Sequence, residues 1–161
     1  MSLARLAHGV VASVTIGGES SPRVELSPAA AMLLDRLWAK HGPLMFHQSG
    51  GCCDGSAPMC YPAGEFLTGD ADVLLGELDL GPDADGPRVA PFWMSAEQFA
   101  YWRHTYPPCT RKLAALWCGN ADISTGRRVL RIPACRLFAV SARGGWTVVR
   151  DGRLQLDGTH D

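Results

Sequence analysis

The sequence predicts an α+β domain, a small mixed β-sheet with two helices. Three observations carry this. Apolar residues in "SPAAAMLLDRLWAKHGP" recur at helical spacing. Short runs such as "PLMFHQ", "DVLLGEL" and "VAPFWM" read as strands. Their order is strand, helix, strand, loop, strand, strand, helix, strands, which is not the regular alternation of a parallel βαβ chain.

Taken in order, residues 1–22 hold Val10, Val11, Val14 and Ile16, then "GGESSP". This predicts one short strand and a flexible link that stays outside the core. Val24 and Leu26 alternate with charged residues, as in a short strand. Ser27 is placed to cap a helix whose first turn accepts Pro28. Ala30, Leu33, Leu34, Leu37, Trp38 and His41 form its apolar stripe. Lys40 and His41 suit the negative end of the helix, and Gly42–Pro43 stops it. "PLMFHQ" then leads into a cysteine-rich loop over residues 49–64. "DADVLLGELDL" predicts a strand with Val73, Leu75 and Leu78 facing inward. "GPDADGPR" has turn chemistry and suits a hairpin connection to a strand over 89–94. Ser95 can cap a second helix, "AEQFAYWRHT", with Glu97 in its first turn and Phe99 and Trp102 on its buried face. Pro107–Pro108 forbids its continuation. The core is thus expected over residues 23–105. Residues 106–161 form a divergent C-terminal segment, expected to be poorly ordered. Within it "TRKLAALWCG" reads as a short helix, Val129–Ile132, Leu137–Val140 and Thr147–Val149 as strands, and Asp151–Gly152 as a two-residue hairpin turn.

Composition narrows the function classes. The chain has 161 residues, 47% hydrophobic and 19% charged, ordinary for a globular domain that needs no staples. A net charge of −1 supplies no global field for nucleic acid. No run approaches the roughly 18 apolar residues of a membrane span, and no signal-like run opens the chain, so a cytoplasmic protein is expected. In a reducing compartment clustered cysteines more often bind metal or do redox chemistry than pair as disulfides.

That chemistry concentrates in "MFHQSGGCCDGSAPMCYP". It places Cys52, Cys53 and Cys60 within nine residues, with His47 five positions before the first. Thiolates are the preferred ligands of zinc, cuprous copper and iron–sulfur clusters. Gly50, Gly51 and Gly55 can shape such a loop and turn backbone N–H groups toward the sulfurs. A metal ion or iron–sulfur cluster held by Cys52, Cys53 and Cys60, with His47 as an auxiliary ligand, is the leading expectation. Side chains of adjacent cysteines diverge in an extended chain, so one of the vicinal pair with Cys60 is the simplest local set. The spacing is not the CxxC of zinc ribbons. Asp54 serves equally as a hard ligand or a turn residue. Other readings stand beside this one: thiols that merely pack, a strained Cys52–Cys53 disulfide, or a low-pKa cysteine partnered by His47 or His104. No local signature of a cysteine hydrolase, dinucleotide fold or phosphate loop is present, so no catalytic residue is assigned.

"HGPLMFHQSGGCCDGSAPMCYP", "DVLLGEL" and "FWMSAEQFAYWRHT" resemble a bacterial family of unassigned function, domain-of-unknown-function 779, over roughly residues 22–105. Members are often encoded beside aldehyde or alcohol dehydrogenases, which implies a dehydrogenase partner. More remotely, "LSPAAAMLLDRLWAKHGPLMFHQSGGCCDG" is similar to the opening of the A-type iron–sulfur carriers, the HesB/IscA-like proteins. That likeness implies a HesB-like arrangement, Cys52 at the first cluster ligand and pairing of subunits in a homodimer. The carriers' C-terminal Cys-x-Cys has no counterpart among Cys109, Cys118 and Cys135. Beyond Thr105, "YPPCTRKLAALWCGNADISTGRR" also departs from the family's usual strands and glycine-rich segment. A reading-frame shift in the source gene would account for such a tail, and those three cysteines would then carry no function. A family-like ending in another frame of the source DNA is the expected mark of it.

Overall fold

A computed structural model describes residues 2–48, 59–104, 119–122, 127–132, 138–141, 145–150 and 153–157. Among these residues it is α+β, as expected, with two sheets and three helices where one sheet and two helices were expected.

The additions begin at the N-terminus. Helix α1 (Ser2–Leu6) and strand β1 (Val10–Val11) precede β2 (Val24–Leu26), which pairs antiparallel with β1. Leu6, Val10 and Ala12 are buried in the core, so residues 1–22 do not stay outside it. Val11 and Val14 stay exposed, so the buried positions of this stretch form no period that stands out. Next comes α2 (Pro28–His41). Ser27 caps it by accepting the Ala30 N–H at 3.2 Å. Gly42, at φ 75°, ends it in the left-handed region. Ala30, Ala31, Leu33, Leu34, Leu37 and Trp38 bury its inner face, while His41 is only half-buried.

Strand β3 (Leu44–Gln48) is buried along its whole length. It runs antiparallel to β4 (Met59–Pro62) and, on its other side, parallel to β6 (Val89–Ser95). Between them in sequence, β5 (Asp72–Asp79) forms the expected hairpin with β6. A bulge between Leu74 and Gly76 shifts the side-chain parity of β5. Val73 and Leu78, odd and even, therefore both face the core, beside Met94 and Ala90. Ser95 caps α3 (Ala96–His104), accepting the Gln98 N–H at 3.3 Å, and Phe99 is buried.

The backbone after α3 carries β7 (Gly119–Asp122), β8 (Arg127–Ile132), β9 (Phe138–Ser141), β10 (Gly145–Arg150) and β11 (Arg153–Asp157). Strands β8 and β10 cover the runs Val129–Ile132 and Thr147–Val149, and β9 overlaps the run Leu137–Val140 from Phe138 on, Leu137 lying outside the described residues. Arg150 opposite Arg153 matches the hairpin expected around Asp151–Gly152. The sheets run β1-β2-β8-β7 and β11-β10-β9-β4-β3-β6-β5. The helix read in "TRKLAALWCG", and Cys109, Cys118 and Cys135, lie outside the described residues.

The N-terminal segment bridges the two sheets. Ala12 donates to Val24 O, Ser13 to Glu77 O, and the Thr15 hydroxyl to Leu74 O at 2.7 Å. This approach requires a glycine. A Cβ on Gly76 would stand 2.5 Å from the Ser13 oxygen and 2.8 Å from the Ala12 Cβ. Gly76→Ala is expected to destabilise by about 1–3 kcal/mol, the usual cost of overpacking. Urea denaturation checks it, and an unchanged midpoint would show that the segment yields freely.

Candidate functional site

The site forms on the face of the large sheet that does not carry the main core. Neighbours along a strand point to opposite faces. Phe46 is the cross-strand partner of Cys60, and His47 of Met59. Cys60 therefore lies on the Phe46 side, in the cluster with Phe92 and Leu37, and His47 points the other way.

His47 is 4% exposed. Its Nε2 meets Asp72 Oδ1 at 2.7 Å. Asp72 opens β5 opposite Ser95, and His47 sits beside Trp93 of the intervening β6, so the pair spans that strand on one face. The other Asp72 oxygen accepts the Gly69 N–H at 3.0 Å. The His47 bond, aided by Gly69, holds the Asp72 carboxyl below the usual carboxylate range against its partial burial. Phe66, from the 63–71 connection, lies 4.2 Å from the imidazole and stacks at 5.0 Å on Tyr61. A buried imidazole held by a carboxylate is the arrangement of metal-bound histidines and of histidine general bases alike.

Cys60 has a different character. It is fully buried among apolar side chains, and burial pushes its thiol pKa far up. It is held as a neutral thiol on the opposite face from His47. The expectation that it joins His47 as a ligand therefore gives way to packing. Alternation along two paired strands separates the two side chains, although they are close in sequence.

Cys52 and Cys53, with Gly50, Gly51, Gly55 and Asp54, lie outside the described residues. Both ends of their loop are described, at Gln48 and at Met59, the partner of His47. Among the described residues no three His, Cys, Asp or Glu side chains are grouped to hold a metal ion. The sequence reading also missed Asp72 and Phe66. Asp72 reads only as part of the run "DADVLLGELDL", and nothing local relates it to a histidine 25 residues earlier.

Fold and site together define a small α+β domain with a carboxylate-held histidine at the root of a glycine–cysteine loop. Residues 33–107 match the family described as Domain of unknown function (DUF779). The match begins within α2 at Leu33, takes in the loop and α3, and ends two residues beyond Thr105. Comparisons with curated proteins and with solved structures found no match. Among the described residues no helix is long and apolar enough to cross a membrane.

Proposed function

We propose that this protein is an accessory protein that binds a metal ion or iron–sulfur species through its glycine–cysteine loop and serves a partner enzyme, a dehydrogenase being the expected one. Cys52 and Cys53 supply thiolates, His47 is the auxiliary ligand, and Gly50, Gly51 and Gly55 shape the loop. Cys60 is left to the core. Cytoplasmic location and a carrier-like homodimer belong to the same reading. One observation carries it: the loop springs from a strand whose last residues include a buried imidazole already held by a carboxylate. Soft thiolates beside neutral imidazole suit zinc, copper or iron.

Protein purified anaerobically is expected to carry stoichiometric zinc, copper or iron. The Cys52→Ser/Cys53→Ser double variant should lose it, and Cys60→Ala should keep it. Loss in Cys60→Ala with retention in the double variant would move the site elsewhere. A second reading draws on the same histidine–carboxylate pair, which can take a proton from a loop thiol and make the protein a thiol enzyme or redox sensor. Metal-free protein with one rapidly alkylated thiol would favour it.

A further inference from the structure

The geometry points to residues 2–16 as an exchangeable arm: a second copy of this chain can lay its own N-terminal segment along the same edge of β5, giving a dimer with two exchanged arms. The inference is independent of the metal-binding reading.

The arm is seated on the body as a separate chain would be. Leu6, Val10 and Ala12 insert into the core and keep 0%, 6% and 4% of their surface exposed. Val10 and Val11 pair with Leu26 and Glu25 of β2. Among the described residues β5 is the outer strand of the large sheet, and the arm runs along that edge. The Ser13 N–H donates to Glu77 O at 2.9 Å, and the Ser13 hydroxyl accepts the Glu77 N–H at 3.1 Å. Arg5 Nη2 lies 3.0 Å from Asp79 Oδ2. Gly76 leaves the space that the Ser13 oxygen and the Ala12 Cβ fill. An outer strand is a template for pairing with another chain, and this one is shaped to fit one particular segment.

A single turn decides whose arm occupies it. The Glu19 N–H donates to Ile16 O at 3.2 Å and closes a turn over Gly17 and Gly18, with Gly18 at φ 78°. A turn with positive φ at its third residue calls for glycine there. An added Cβ would meet open space at both glycines, so only the backbone opposes a side chain at position 18. The body resumes at the next residue, where the Glu19 carboxylate accepts two bonds from the buried Arg23, at 2.7 and 2.5 Å. The hinge is therefore confined to the two glycines. An open arm would expose Leu6, Val10 and Ala12, so it closes again on a β5 edge, its own or that of another copy. The two closed forms share every arm contact. They differ in the hinge conformation and in the cost of association, which favours the single chain at low concentration.

Sedimentation velocity of Gly18→Val, from micromolar to submillimolar protein, tests this. Valine is penalised in the left-handed region, and an exchanged dimer relieves two such residues. Its association constant should exceed that of the wild type by about 30–700-fold. A disulfide then separates arm exchange from ordinary pairing. Ser13→Cys and Glu77→Cys chains, each also carrying Gly18→Val, are refolded together and oxidised in air. A disulfide between the thiols introduced at 13 in one chain and at 77 in the other, identified by peptide mass, is expected. The same two variants without the Gly18 change, refolded together at high concentration, should form that link in lower yield, which decides the matter if Gly18→Val does not fold. A folded Gly18→Val that associates no more than the wild type, a dimer without the 13–77 link, or absence of the link from both mixtures would overturn the inference.

Discussion

Replacing Phe46 with alanine is expected to lower stability by about 3–5 kcal/mol, the range for truncating a fully buried aromatic side chain. Phe46 has no exposed surface and stacks on Phe92 with ring centroids 5.4 Å apart. Its strand has a neighbour on each side, Cys60 of β4 and Phe92 of β6 standing opposite it. Hydrogen bonding on both sides hinders the backbone from closing the void. Thermal melting should show a loss of roughly 6–20 °C, taking about 2–4 °C per kcal/mol for a chain of this size. The void opens beside Cys60, so that thiol should also be alkylated faster in the variant than in the wild type. A stability change under about 1 kcal/mol would mean that the core repacks around the gap, contrary to the usual partial relaxation of such sites.

Arg88→Ala is expected to destabilise by about 3 kcal/mol, near the lower end for breaking a buried ion pair. The Arg88 side chain is 7% exposed, and its Nη1 lies 2.6 Å from Asp35 Oδ1 on α2. Its Nε donates to Gly81 O at 3.0 Å and its second terminal nitrogen to Leu80 O at 3.3 Å. Asp83 stands 3.6 Å away. One guanidinium thus ties the β5–β6 turn to itself and to the first long helix. Asp35 is 23% exposed and can recover some hydration when the cation is removed, which keeps the expected loss low in the range. Arg88→Lys should recover only part of it, because an ammonium cannot supply the fixed fork that serves a carboxylate and two carbonyls together. Chemical denaturation of the three proteins checks this. A lysine variant as stable as the wild type would reduce Arg88 to a point charge.

Helix α2 was legible in the sequence down to its cap and its stop. Its apolar spacing, Ser27, Pro28 and Gly42 all act within a few residues of one another. The β5–β6 hairpin was legible for the same reason, since turn residues lie between two apolar runs. The bulge was not, yet it explains why inward residues fall at the uneven spacing of Val73, Leu75 and Leu78. Arg88 read as the end of a turn, and its partner on α2 is 53 residues away.

The candidate site divides along the same line. Sequence alone determined where the thiols and the imidazole cluster, since cysteine, histidine and glycine types and their spacing are properties of one short stretch. It also carries the match to the family of unknown function over residues 33–107. Only the tertiary structure decided which of the nearby groups face one another. Cys60 and His47 are thirteen positions apart in the chain, but the pairing of β3 with β4 sends them to opposite faces. Asp72 is farther away in sequence, and β6 brings it within 2.7 Å of the imidazole. The physical reason is strand parity and register. They are set by long-range hydrogen bonding and by burial of one face, and no local pattern of residue types contains them.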